Sequence, residues 1–291
     1  MRIVSPYKNE WTGWLRGNLH THTANSDGPL DPQATIDVYA GKGYDFLVIT
    51  DHDLVSDLAG LDARGMVLIP GNEVTANGPH VLHVGATRHV APDPDRQRVV
   101  NEICADGGLS VFCHPNWEST FNHCPQEKLE QYEGYTGLEI FNGVAVWVEG
   151  NPYATDRWDR LLSQGRHVWG FADDDCHIET DLGVGWNVVQ SAGERTAAAI
   201  LEGLREGRFY ASTGVTIERI RSKGLTIEVR TREKAKISVI TNHGRRVAVT
   251  EGKKLAFTVP PKPAFSYFRF ECSGFGDRKA WTQPFFISRD E

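Results

Sequence analysis

Short apolar runs that stop abruptly at a histidine or an acid recur along this chain, and they constrain its fold more than any other feature. Residues 46–50 run into Asp51-His52-Asp53, and residues 66–70 run into Gly71-Asn72-Glu73. Residues 109–113 stop at His114-Pro115, and residues 167–171 lead into Ala172-Asp173-Asp174-Asp175-Cys176-His177. Runs this short, with no polar alternation, suit strands buried on both faces. A further strand at 14–19 ends at His20-Thr21-His22. Residues two apart on an extended strand end project to one side, so His20 and His22 can grip one divalent cation. Asp175 and His177 repeat that spacing, and Asp27 follows His22 in the turn Ser26-Asp27-Gly28-Pro29.

Helical stretches separate these strands. Asp31 is an N-cap with Pro32 at the first helical position, and Gly41-Lys42-Gly43 ends that helix. Further helices are predicted over 56–64, 95–106, 125–133, 154–164 and 194–206, and strands over 137–141, 185–190 and 207–214. Long strand–helix alternation implies a barrel or a doubly wound sheet, and polar clusters at so many strand ends favour a barrel, whose ligands converge on one face. Too few residues separate Glu73 from His80 for a helical crossover, so 80–86 turns back antiparallel and His80 lies beside Glu73. His83 then lies further down the strand as a packed polar residue. Beyond about residue 213 the texture changes to short alternating runs at 216–220, 225–230, 236–241, 245–249, 254–259, 266–271 and 279–287, read as a β-sandwich. The chain divides into a barrel over 1–214 and an accessory β domain over 215–291. The tail supplies no ligand, so 1–214 is expected to bind metal alone.

The 291 residues carry 31 Lys and Arg against 38 Asp and Glu, a net charge of −7, which argues against nucleic acid or an anionic membrane as the main partner. No stretch approaches a membrane span, the first residues lack the apolar core of a signal peptide, and the five Cys show no paired spacing. A cytoplasmic protein with reduced thiols is expected.

The ordered set His20-x-His22, Asp27, Thr50-Asp51-His52, Glu73, His80, His114-Pro115 and Asp175-x-His177 resembles the PHP (polymerase and histidinol phosphatase) family over about residues 14–214. His114-Pro-Asn-Trp117, the stretch from Trp169 to His177 and the stretch from Asp181 to Gly185 look most like the branch that includes carbaryl hydrolase. The resemblance implies a distorted (β/α)7 barrel holding two or three divalent ions of Mn, Fe or Zn. It implies that His20, His22, Glu73 and Asp175 hold one ion, that Glu73, His80 and His114 hold a second, and that Asp27, His52 and His177 hold a third. Some family members have His where this chain has Asp27.

A cation lowers the pKa of its bound water from 15.7 to near ~7, so a metal-bridging hydroxide can attack a phosphorus or carbonyl centre. Asp51 and Asp174 are the spare acids nearest the ligands, able to orient them or shuttle a proton. Asn142 is placed to orient substrate or to bond to Glu139. Trp117, His123 and Trp147 stand in irregular stretches after strands, where substrate walls lie, and Arg157 is a cation for substrate binding if it reaches the site. Alternation turns Cys113 and Cys176 away from the ligands. The expected activity is a metal-dependent phosphoesterase on a small soluble ester. Hydrolysis of a carboxylic ester, carbamate or amide is the alternative, and a non-catalytic metal-binding scaffold is the reading from another class.

Overall fold

The computed structural model describes residues 1–289. The chain opens with β1 (Arg2–Val4), a short strand whose partner comes from the far end of the chain. β2 (Gly13–Asn18), β3 (Phe46–Ile49) and β4 (Val67–Val74) then run parallel, with α1 (Pro32–Gly41) between the first two. Pro32 sits in the first turn of α1, and Asp31 caps it by accepting from the Ala34 amide at 2.9 Å. β5 (Val81–Val84) turns back antiparallel on β4. α2 (Arg96–Ala105) follows, and β6 (Leu109–Phe112) pairs antiparallel with β5. α3 (Gln126–Gln131), β7 (Gly137–Asn142), α4 (Thr155–Ser163) and β8 (Trp169–Asp173) restore parallel order from β6 onward. β9 (Trp186–Ser191) returns antiparallel to β2; after α5 (Ala197–Arg205), β10 (Phe209–Ser212) pairs antiparallel with β9. These reversals distort the barrel, whose interior is filled by residues such as Leu19, Phe46, Val48, Leu82, Val111 and Phe171.

β8 ends the paired path of strands, and two side-chain amides cover its open edge. Asn187 donates to the Ala172 carbonyl at 3.0 Å and accepts from its amide at 3.1 Å. Gln283 does the same for Gly170, at 2.8 and 2.9 Å. Each amide imitates a neighbouring strand's backbone, which removes the exposed edge.

Residues 56–64 form no helix. Asp57 and Asp62 accept from the amides of Ala59 and Arg64, each at 2.9 Å, and Arg64 lies at φ 51°. These local side-chain bonds capture amides that a helix would need. In the tail, β11 (Ile217–Lys223) is followed by two long strands, β12 (Thr226–Thr241) and β13 (Arg245–Thr258), each joining runs that the sequence reading kept apart. No Gly or Pro stands between 230 and 236 to turn the chain, and the register slips at a bulge between Arg230 and Ala235 instead. The run 279–287 divides into β15 (Lys279–Thr282) and β16 (Phe285–Ser288), after β14 (Tyr267–Ser273), because Pro284 lacks the amide a continuous ladder requires.

The tail has an apolar cluster that includes Ile227, Val229, Ile237, Val239, Phe268 and Phe270, and Tyr7, Val188 and Tyr210 from earlier in the chain complete it. β15 pairs with β10 and β16 pairs with β1, so the sheet continues across residue 214. Trp281 is fully buried among barrel residues. No helix among the described residues is long and apolar enough to cross a membrane, and all five cysteines are free.

Candidate metal centre

Glu73, at the end of β4, is fully buried and central to a ring of histidines. Its Oε2 lies 3.3 Å from His20 Nε2, 3.4 Å from His22 Nε2 and 2.8 Å from His52 Nδ1. Its Oε1 lies 2.9 Å from His80 Nδ1 and 3.4 Å from His114 Nε2. Asp175 Oδ1 adds contacts of 3.2 Å to His20 Nε2 and 3.0 Å to His22 Nε2. The two Nε2 atoms themselves are 3.1 Å apart. Burial works to raise both carboxyls, yet the surrounding histidines, His20 foremost, hold Glu73 and Asp175 well below the usual carboxylate range.

His20, His22, Glu73 and Asp175 fit a cation on their own geometry. Four donors ~2.0–2.2 Å from one ion stand ~3.3–3.6 Å from each other in a tetrahedron, close to the separations found here. Two imidazole nitrogens aimed at each other share at most one proton, and Glu73 Oε2 is buried without a hydrogen bond among the described residues. A cation resolves both problems at once. The second set is Glu73 Oε1 with His80 and His114. In the outer set, Asp27 Oδ2 lies 3.4 Å from His52 Nε2 and 3.4 Å from His177 Nε2. His114 and Asp175 adopt left-handed backbone, at φ 28° and 51°, a strain that aims two side chains off their strand ends.

A buried second layer holds these groups. Glu139, on β7, accepts from His20 Nδ1 at 2.7 Å through one oxygen. Through the other it accepts from the His114 amide and from Asn142 Nδ2, both at 2.7 Å. Asn142 also donates to Asp175 Oδ2 at 3.1 Å, so it organises carboxylates and does not line the cavity. His123 Nε2 accepts from the His80 amide at 3.1 Å, and its Nδ1 faces Glu118 Oε1 at 3.0 Å. His83 lies at the other end of β5 from His80, fully buried, with Nε2 3.2 Å from Asp106.

Several residues singled out in the sequence stand away from the cavity lining. Asp51, named as a catalytic acid, is buried and accepts from the Thr23 amide and from the hydroxyls of Thr23, Ser26 and Ser56, so it ties two loops together. Asp174, named with it, accepts from Tyr39 and from the amides of Gly183, Val184 and Gly185. Burial raises its pKa to about 6, but it has no access to the cavity. Arg157 is not at the site: its guanidinium donates to Asn116 Oδ1, the Phe121 carbonyl and Asn122 Oδ1. Cys113 faces inward beneath the ligands, where its sulfur lies within 4.8 Å of Glu73 and His114 donor atoms. Burial pushes that thiol well up, which keeps it protonated.

Above the ligands lies a cavity of about 270 Å³, lined by Asp27, His52, Glu73, His80, His114, Asp175 and His177 together with Trp117, Val144, Trp147 and Val148.

No family model matches the chain. A 3',5'-nucleoside bisphosphate phosphatase of Chromobacterium violaceum is 38% identical over 72 residues, a stretch covering 23% of this chain and 25% of that protein. The chain therefore aligns with only about a quarter of its curated relative. The crystal structure of a two-domain protein from Bacteroides vulgatus, containing a predicted PHP-like metal-dependent phosphoesterase, superposes with a TM-score of 0.58 at 18% identity. That match covers 99% of this chain and 98% of the other, so the fold is shared along the whole length, tail included. A putative metal-dependent phosphoesterase from Bifidobacterium adolescentis gives a TM-score of 0.41 at 16% identity over 65% of this chain and 94% of that one.

Proposed function

We propose that this chain, whose fold is the PHP-like barrel with a β domain behind it, is a metal-dependent hydrolase acting as a phosphoesterase on a small ester. Glu73 carries the reading: its two oxygens face different histidines, as a carboxylate shared by two cations would. His20, His22, Glu73 and Asp175 would hold one divalent ion, Glu73 with His80 and His114 a second, and Asp27 with His52 and His177 a third, the ions being Mn, Fe or Zn. Ions bound there would polarise the ester and lower the pKa of water toward ~7. Glu139 fixes His20 by accepting at Nδ1, which directs Nε2 to the ligand cluster. Asn142 holds Asp175 in place, and Trp117 and Trp147 line the cavity with the ligands. In this reading residues 1–214 carry the chemistry, residues 215–291 brace the barrel, and the substrate is a soluble cytoplasmic metabolite. The stretches 114–117, 169–177 and 181–185 support placing the chain nearest the branch that includes carbaryl hydrolase.

One observation favours a second reading, hydrolysis of an uncharged carboxylic ester, carbamate or amide: no Lys or Arg is among the residues lining the cavity. Elemental analysis after metal-supplemented expression, with a panel of phosphomonoester, phosphodiester and carboxylic ester, tests both. At least two ions per chain and turnover of a phosphoester are expected. Fewer than one ion per chain would remove the catalytic reading, and turnover of the carboxylic ester alone would select the second.

A further inference from the structure

Trp147 is 52% exposed, yet it is not free. Its Nε1 donates to Asp181 Oδ1 at 2.8 Å, and the other Asp181 oxygen accepts from the amides of His177 and Ile178 at 3.0 and 3.1 Å. The indole is thereby tied to the loop that carries a candidate ligand. Trp117 stands over the opposite ligands, with its ring 5.0 Å from that of His114 and 5.9 Å from that of His80. The two tryptophan loops are joined at an isolated bridge between Trp117 and Gly150 and by a bond from the Glu118 amide to the Glu149 carbonyl at 3.2 Å. Gly150, at φ 123°, permits that approach, since a Cβ there would come within 2.8 Å of Trp117 Cα. Val144 and Val148 complete the apolar wall, and Val146, Phe121 and Ile178 on the same loops are large apolar side chains left exposed.

A half-exposed indole held in one orientation beside a polar cluster is a preformed face for a planar apolar group. A second charged group on the substrate would need its own cationic partner, as bidentate arginine provides for phosphate. The cavity lining has no Lys or Arg, and Arg157, in the first turn of α4, already spends its donors on Asn116, Phe121 and Asn122. Resting on the hydrolase reading above, we infer that the site takes esters with a single polar head at the ligand cluster and an aromatic, otherwise uncharged group against Trp117 and Trp147. It discriminates against a second phosphate. This specificity differs from the bisphosphate named for the Chromobacterium violaceum relative.

The test uses the full-length, manganese-loaded protein with 1-naphthyl phosphate, glycerol phosphate and adenosine 3',5'-bisphosphate, and binding of 1-naphthalenesulfonate read by tryptophan fluorescence. We expect kcat/KM for naphthyl phosphate to exceed the other two by at least ~10-fold, the lower range for one apolar group in a pocket. Trp147→Ala should raise KM for naphthyl phosphate ~10-fold with kcat within ~3-fold, and Trp147→Phe should recover most of the loss. Equal turnover of the bisphosphate, or an equal loss on all three substrates in Trp147→Ala, would overturn the inference. If no phosphoester is turned over by fully metallated protein, the phosphoesterase reading fails instead. Naphthalenesulfonate binding that weakens in Trp147→Ala would still support the aromatic wall, and failure to bind would refute it.

Discussion

Glu139 Oε1 lies 2.7 Å from His20 Nδ1, which makes a strand residue, not a strand-end residue, the anchor of the innermost candidate ligand. Its other oxygen already accepts from the His114 amide and Asn142, so Glu139 fixes the far side of the cluster as well. Glu139→Gln keeps the size but turns an NH2 group toward one of these donors. Metal affinity should fall ~10–100-fold, the usual effect of losing such a partner. Competition with a chelator measures this without reference to turnover. Unchanged affinity would show that Glu139 serves only the barrel core.

Glu139 shows why part of the site was legible in the sequence and part was not. His20, His22, His52, Glu73, His114, Asp175 and His177 sit where short apolar runs end, and in a barrel those ends converge. Glu139 lies inside such a run, in Gly137-Leu-Glu-Ile-Phe141, and the strand-end rule passes over it. The available signal was energetic: an acid in a strand buried on both faces requires a partner. Asp51 and Asp174 stand behind the ligands for the opposite reason. Each is adjacent to a ligand in sequence, so strand alternation turns it away from the ligand's side and into the loops behind. Arg157 sits on a helix, whose position over the barrel no local pattern specifies. The tail's strands were legible as strands, but the amide of Gln283 on the edge of β8 depends on contacts across 113 residues of sequence.

Glu73→Gln tests the proposed bridge. The substitution removes the negative charge that both sides of the cluster share while leaving the volume in place. At least one ion should be lost, with turnover falling more than ~10²-fold. Metal analysis and steady-state rates on the same preparation separate the two effects. Full metal content with near-normal turnover would show that the carboxylate does not bridge.

His80 and His83 should separate cleanly. His80→Ala removes a group 2.9 Å from Glu73 and should cost metal and activity. His83 has no place in the cluster, and its burial, opposed by Asp106, lowers its pKa from 6.5 to about 4. Between those values the unfolded chain takes up a proton at this position and the folded chain does not. Stability from this group is therefore intact above pH 6.5 and falls as pH drops toward 4, by about 3 kcal/mol in full. Denaturant titrations of metal-free protein across pH 4–7 should show this slope, and His83→Gln should flatten it by that amount. An unchanged slope in the variant would place the acid sensitivity elsewhere.

The contacts of the tail bear on the expectation that residues 1–214 bind metal alone. Gln283 supplies both hydrogen bonds to Gly170 on β8, the strand that leads into Asp173 and Asp175. Arg269, on β14, meets Asp159 of α4 with Nε and Nη2 at 2.9 and 2.8 Å, and both side chains are buried. Trp281 fills barrel core. Deleting the tail would orphan the Gly170 backbone, leave Asp159 without its cation and open a cavity the size of an indole. We expect the chain cut after Gly214 to be unfolded or insoluble. Because such a result alone is blunt, two point variants make it specific. Asp159→Ala removes the two-pronged partner of the buried Arg269 guanidinium, leaving it only Glu271 at 3.3 Å, and should cost up to roughly 3–5 kcal/mol. Gln283→Ala leaves one buried amide and one buried carbonyl without partners on β8, a cost on the order of 1–3 kcal/mol for each group. If the edge of β8 positions Asp175, Gln283→Ala should also weaken metal binding, whereas Asp159→Ala should not beyond its effect on stability. Equal metal affinity in both folded variants would confine the tail to bracing. A soluble truncation with the full-length metal stoichiometry would show that the barrel closes without it.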